Sequence, residues 1–168
     1  MNIKKIFIIF YLFTLNFTST YSLEADIFVQ STVNRASQIL SKDISKEEKI
    51  NELKSVAKET GFYSLGSIRK NLDKNQKKKY LVLFEDYFLK SFSSRLAEYA
   101  NPEIEVKGKK VLNKNYTIVN SLLVGTSDRP EVKIDWRIYT KNPENPLIRD
   151  LIIEGLSLAR TQKEEFSS

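Results

Sequence analysis

The side chains that could carry acid–base chemistry in this chain are carboxylates on or beside predicted strands. They are Asp135, Asp150 and Glu154. A strand carboxylate that faces a cavity can act as a general base. The alternative is that all three face outward, as surface charges or in ion pairs with Arg137 or Arg149. The sequence alone leaves both interpretations open.

Other catalytic arrangements lack a residue type that they require. The 168 residues include no His and no Cys, which excludes a Ser-His-Asp triad, a cysteine nucleophile and a thiolate metal site. Ser157 follows Gly155, but the second glycine of a nucleophile elbow is missing, and Ser157 is better suited to capping the last helix. The sequence therefore predicts no enzyme, no metal and no cofactor.

The first 22 residues have the form of a secretory signal peptide. Two lysines precede an apolar run from Ile6 to Phe17, and small polar residues follow as far as Ser22. The alternative is an uncleaved membrane anchor, but the run is shorter than the ~20 residues that a bilayer span needs. We expect export to the periplasm and a single mature domain over residues 23–168.

The net charge of +6 is a mild basic excess. Its densest cluster, Lys74 with Lys77, Lys78 and Lys79, is typical of a solvated helix start, so no nucleic-acid partner is predicted. A mild positive field still favours anionic membrane surfaces or an acidic partner.

The first half of the mature chain has helical periodicity. Residues 25–40 form one predicted helix, a capping box at Ser45 opens a second that Gly61 ends, and a short helix covers residues 62–72. A second capping box at Asp73 opens the longest helix, which runs to about Ala100. Its apolar stripe is wide and aromatic and consists of Tyr80, Phe84, Tyr87, Phe88, Phe92, Leu96 and Tyr99.

After Pro102 the hydrophobic period changes from about 3.6 to 2. Predicted strands begin at Ile104, with a turn or bulge at Gly108, and continue over 116–124, 132–138 and 147–154, before a final helix over 156–168. This order predicts an α+β fold in which helices pack on one face of a curved antiparallel sheet.

Four segments together resemble the MlaC (toluene-tolerance, Ttg2) family. The most specific is Ile153–Ser157, which matches the family's "IEG-S" corner with the correct spacing to Gln162 and Phe166. The other three are Tyr63–Gly66, the helix from Gln76 to Tyr87, and the strand Val132–Trp136. Two departures are the missing Trp before the last strand and an end at Ser168, where relatives continue into another helix, so we also expect that the chain could be truncated.

The resemblance implies a periplasmic phospholipid carrier with a cone-shaped fold like that of nuclear transport factor 2. It implies a monomer without cofactors that passes lipid between an outer-membrane lipoprotein complex and an inner-membrane ABC transporter, and so maintains outer-membrane lipid asymmetry. Two alternatives remain: a small enzyme of the same cone-shaped type, and a carrier of another lipid, such as a hopanoid.

On this interpretation the lipid tails contact apolar residues of the long helix, the segment before it and the inner face of the sheet. The predicted contacts are Phe62, Leu65, Phe84, Phe88, Phe92, Leu122, Val132, Ile134, Trp136, Leu151 and Ile153. By charge type alone, Arg69 and Arg149 are candidate neighbours of the lipid phosphate, and an ordinary surface position is the alternative for each.

Overall fold

The computed structural model of the chain describes residues 23–61, 72–97 and 102–165. The predicted signal peptide and the predicted short helix lie outside the described residues. In chain order the elements are α1 (Ala25–Leu40), α2 (Lys46–Glu59), α3 (Lys74–Leu96), β1 (Ile104–Asn113), β2 (Tyr116–Leu123), β3 (Val132–Tyr139), β4 (Leu147–Ile153), β5 (Leu156–Ser157) and α4 (Leu158–Glu165).

Both predicted capping boxes are present. The Ser45 hydroxyl accepts a hydrogen bond from the Glu48 amide at 3.2 Å, and the Glu48 carboxylate accepts one from the Ser45 amide at 3.0 Å. The Asp73 carboxylate and the Gln76 side chain exchange the same pair of bonds at the start of α3, at 2.9 and 3.0 Å. These contacts satisfy amides that lack partners within the first turn, so they fix where α2 and α3 begin.

The five strands form an antiparallel meander in the order β1-β2-β3-β4-β5, which confirms the α+β prediction. Val119, Trp136 and Leu151 are direct cross-strand neighbours in the middle of the sheet. All three are buried, so they mark the face against which the helices pack. The predicted irregularity at Gly108 is a register shift in β1.

A bulge in β4 alters the alternation of the last long strand. Arg137 pairs with Asp150 while Ile138 pairs with Ile148, which leaves Arg149 as the extra residue. Because of this insertion, Ile148 and Leu151 are buried on the same face although they are three positions apart.

The buried residues that the structure describes form two clusters. The first joins the N-terminal half of α1, through Val29 and Val33, to the sheet residues Val119, Ile138 and Ile148. The second lies between α1 and α2 and consists of Ile39, Leu40, Leu53 and Val56. The helical layer is thus packed partly on the sheet and partly on itself.

The predicted last helix begins two residues later than expected. Glu154 and Gly155 have φ values of 49° and 82°, and this turn brings Leu156 and Ser157 back to pair with β4 as β5. Ser157 then caps α4, as predicted, because its hydroxyl accepts a hydrogen bond from the Arg160 amide at 3.1 Å. None of the described helices combines the length and the apolar character that a membrane crossing requires.

Candidate functional site

An apolar cavity lies between α1, α2 and the sheet. Its volume is about 190 Å³ and it is partly open to solvent. Its sheet wall includes Ile134, Trp136, Ile148 and Leu151. Its helix wall includes Val33, Ala36, Leu40, Leu53, Val56 and Ala57. Because the walls draw on both buried clusters, the cavity occupies the boundary between them.

The described wall of this cavity carries no charged side chain, and apart from the Trp136 indole nitrogen its polar side-chain atoms are hydroxyls. Three of them donate to nearby backbone carbonyls: Thr32 to Phe28 at 2.9 Å, Ser37 to Pro102 at 3.0 Å and Thr60 to Val56 at 2.9 Å. The fourth, Ser93, is buried and its hydroxyl has no hydrogen-bond partner among the described atoms. Such a wall suits apolar ligands, since it offers no fixed charge to a polar one.

The cavity is closer to solvent at one end of the sheet than at the other. Ile104, Leu123, Val132 and Ile153 line it and are half-buried, and all four lie at the end of the sheet that carries the β2–β3 loop. The wall residues farther along the strands, such as Ile148, are buried. We call the half-buried end, with these four residues, the rim.

Five predicted tail contacts converge on this cavity. The structure brings together Val132, Ile134, Trp136, Leu151 and Ile153 as lining residues. Phe62 and Leu65 lie outside the described residues, as do the side chains of Phe84, Phe88 and Phe92.

Leu122 is not one of the residues that line the cavity. It pairs with Lys133, and both belong to the set of strand positions that alternates away from the inner face. Leu123 lines the cavity instead. A shift of one residue in a strand reverses the face, and this is why the prediction for Leu122 has to be corrected.

Neither predicted phosphate neighbour lies in the described cavity wall. Arg69 lies outside the described residues. Arg149 is the bulge residue of β4, and its guanidinium carbon lies 5.5 Å from the centre of the Tyr139 ring, next to the end of β4 that is far from the rim. Arg149 therefore does not lie beside the rim.

The three strand carboxylates face away from the cavity. Asp135 accepts a 2.7 Å hydrogen bond from the Asn120 side chain. Asp150 accepts bonds from the Ser157 hydroxyl at 2.6 Å and the Ala159 amide at 3.0 Å, so it holds the start of α4. Glu154 is exposed in the turn and accepts from the Lys133 amide. The outward interpretation is therefore correct for Asp135 and Glu154, whereas Asp150 is buried beside the start of α4. None of the three lines the apolar cavity.

The helix wall of the cavity was missed by sequence reasoning. In this wall an alanine lies one helical turn from a leucine in two places, Ala36 with Leu40 and Ala57 with Leu53. Small side chains on the buried face of a helix leave space against the opposite layer, and this spacing was the available signal. In the part of the chain that the structure describes, no group of metal-binding side chains gathers.

Comparison with known proteins agrees with this architecture. The solved structure of a phospholipid-binding protein from Ralstonia solanacearum, in complex with a phospholipid, is similar to this chain with a TM-score of 0.68 and 17% sequence identity, over 86% of each chain. The search of curated proteins gave no match. Residues 30–168 match the family model described as "MlaC protein". The chain therefore belongs to the MlaC family.

Proposed function

We propose that this protein binds a phospholipid by its acyl tails in the cavity between the helices and the sheet. The observation that carries the proposal is the uncharged wall of the described cavity, which is built from both layers of the fold. Family membership and the phospholipid held by the similar Ralstonia protein support the same assignment.

The reason a lipid needs such a site is the cost of exposing its tails to water. A diacyl phospholipid has about 30 methylenes, and at about 0.8 kcal/mol each roughly 20 kcal/mol opposes its passage through water. A dry cavity that covers the tails removes most of this cost and needs no chemical energy. The headgroup can stay in water at the rim, beside Ile104, Leu123, Val132 and Ile153.

The cavity must widen to take two full tails. Its volume of about 190 Å³ is little more than the roughly 150 Å³ of an engineered cavity that binds benzene. Widening can occur at the boundary between the two buried clusters, because separating them there leaves each one packed internally.

The C-terminal end of α2 would act as the pivot of this widening. The Ile148 amide of β4 donates a 2.9 Å hydrogen bond to the Thr60 carbonyl, directly after α2. This contact holds the end of α2 to the sheet at the buried end of the cavity. The N-terminal part of α2 can then move away from the sheet, and the space opens toward the rim.

The transport role follows from the same proposal. We infer that the protein is a periplasmic shuttle that exchanges phospholipid with an outer-membrane lipoprotein complex and an inner-membrane ABC transporter, and so maintains the lipid asymmetry of the outer membrane. The signal-peptide pattern of residues 1–22 supports the location. Release of the lipid then requires a partner that favours a conformation with lower lipid affinity.

The test is the identity of the lipid that the protein carries. The protein is purified from a bacterial periplasm without detergent, extracted with organic solvent, and the extract is analysed by mass spectrometry. We expect phospholipid. A different lipid class, such as a hopanoid, would support a role as a lipid carrier and would change only the identity of the cargo. An extract without lipid would contradict the proposal.

A further inference from the structure

One face of α3 carries exposed apolar side chains. Val82, Leu83 and Tyr87 are 62%, 59% and 58% exposed. They follow helical spacing together with Lys79 and Lys90, which are exposed at the two ends of the same stripe. Tyr87 belongs to the predicted aromatic stripe of this helix, and in the structure it is exposed.

Basic residues of α2 flank this stripe. Lys54 and Lys58 line a groove with Val82, Leu83 and Asp86. The Lys54 ammonium lies 2.8 Å from the Asp86 carboxylate. That hydrogen bond lowers the pKa of Asp86, and the charges of Lys90 and Lys58 lower it further. Lys54, Lys58 and Lys90 thus lie near the Asp86 carboxylate, and Lys79 lies at the other end of the stripe. We call the surface formed by these four lysines with Val82, Leu83 and Tyr87 the α3 patch.

We propose that the α3 patch docks the protein on the surface of a bilayer that contains anionic phospholipid. Exposed aliphatic side chains can enter the boundary between headgroups and acyl chains, and a tyrosine is suited to the headgroup level. Lysines near an anionic surface each add about 1 kcal/mol of attraction, which is about fivefold in partitioning. The patch combines both contributions on one exposed helix face.

Two other occupants fit the described residues less well. A second copy of this chain would bring lysines against lysines, which repel. A stable protein partner needs about 20–30 residues on each side, whereas the stripe from Lys79 to Lys90 spans only about 16 Å of helix. Insertion of a few side chains into a membrane surface needs no larger area.

This inference does not rest on the proposed cargo. Its test is co-sedimentation of the full protein with vesicles of phosphatidylcholine alone or mixed with phosphatidylglycerol, at low and high salt. We expect binding to the mixed vesicles that weakens as salt shortens the range of electrostatic attraction. Failure to find lipid in the cavity would leave this result unaffected.

Two sets of variants separate the contributions. Replacing Val82, Leu83 and Tyr87 together by serine should weaken binding to mixed vesicles about tenfold. Lys79→Gln with Lys90→Gln should weaken it about 25-fold, since two lysines are removed. The matched control replaces Val111 and Leu156, which are 68% and 71% exposed elsewhere on the surface, by serine and should bind as the wild type does.

Several outcomes would overturn the proposal. Wild-type protein that sediments with neither vesicle, or equally with both at every salt concentration, would do so. The proposal would also be overturned if the serine variant, shown to be folded by its circular dichroism spectrum, binds as the wild type does. A dimer that the serine substitutions abolish would assign the α3 patch to a second copy of the chain.

Discussion

The indole nitrogen of Trp136 donates a 2.8 Å hydrogen bond to the hydroxyl of Ser121 in β2, a residue that does not line the cavity. Ser121 in turn donates to the Ile134 carbonyl at 3.0 Å. This chain satisfies the only polar group of the indole, so Trp136 presents an apolar surface to the cavity. Ser121 therefore supports the cavity wall indirectly, through Trp136.

Removing the Ser121 hydroxyl should destabilise the fold. In Ser121→Ala the buried indole N–H loses its acceptor, at a cost of about 1–3 kcal/mol. Urea unfolding followed by the fluorescence of Trp136, the single tryptophan, measures the change directly. An unchanged free energy of unfolding would mean that another acceptor replaces Ser121.

Ser93 is also buried, but unlike Ser121 its hydroxyl makes no described hydrogen bond. Its hydroxyl is 1% exposed and has no described hydrogen-bond partner, so Ser93→Ala removes a desolvated polar group and breaks no described bond. We expect the free energy of unfolding to stay constant or rise by up to about 1 kcal/mol. A clear loss of stability in this variant would show that Ser93 has a partner in solution.

Gly61 lies just after α2, and its backbone has a positive φ that residues with a side chain rarely adopt. Its φ is +71°, and a methyl group there would lie 2.8 Å from a terminal carbon of Leu147. We expect Gly61→Ala to lower the free energy of unfolding by about 2 kcal/mol, and the melting temperature by about 4–8 °C.

Gly108→Ala is the matched control for this substitution. An added methyl at Gly108 meets nothing within 4 Å, so we expect a change within about 0.5 kcal/mol. Equal losses in the two variants would contradict the role of the Gly61 conformation.

The contact between Asp26 and Lys109 makes a small part of the stability depend on pH. The Lys109 ammonium lies 2.9 Å from the Asp26 carboxylate, and this hydrogen bond lowers the pKa of Asp26. A lowered folded-state pKa adds stability above the unfolded value of about 4, which is lost as pH falls through the folded value.

Asp26→Asn should therefore cost under about 1 kcal/mol at pH 7, because the pair is partly exposed. The difference from wild type should shrink below pH 4, as measured by urea unfolding at several pH values. A difference that stays constant down to pH 2 would assign the effect to something other than ionisation.

The sequence predicts those parts of the fold that depend on local chemistry. The capping boxes at Ser45 and Asp73 and the alternation of β3 are set by neighbouring residues, and the structure has all three. The bulge at Arg149 depends on pairing with β3, a contact distant in sequence, so periodicity could not reveal it. The apolar stripe of α3 includes the exposed Tyr87, because the pattern of a wide stripe does not show which part of it the protein covers.

The amount of phospholipid bound per protein tests the central claim most directly. It is measured as the molar ratio of lipid phosphorus to protein in wild type, Ile134→Glu and Lys133→Glu. Ile134 lines the cavity, while Lys133 is exposed on the same strand. The account predicts about one phospholipid per protein for wild type and Lys133→Glu and almost none for folded Ile134→Glu, because a carboxylate in the wall is costly beside the tails. Equal ratios in all three proteins, or no phosphorus in the wild type, would contradict it.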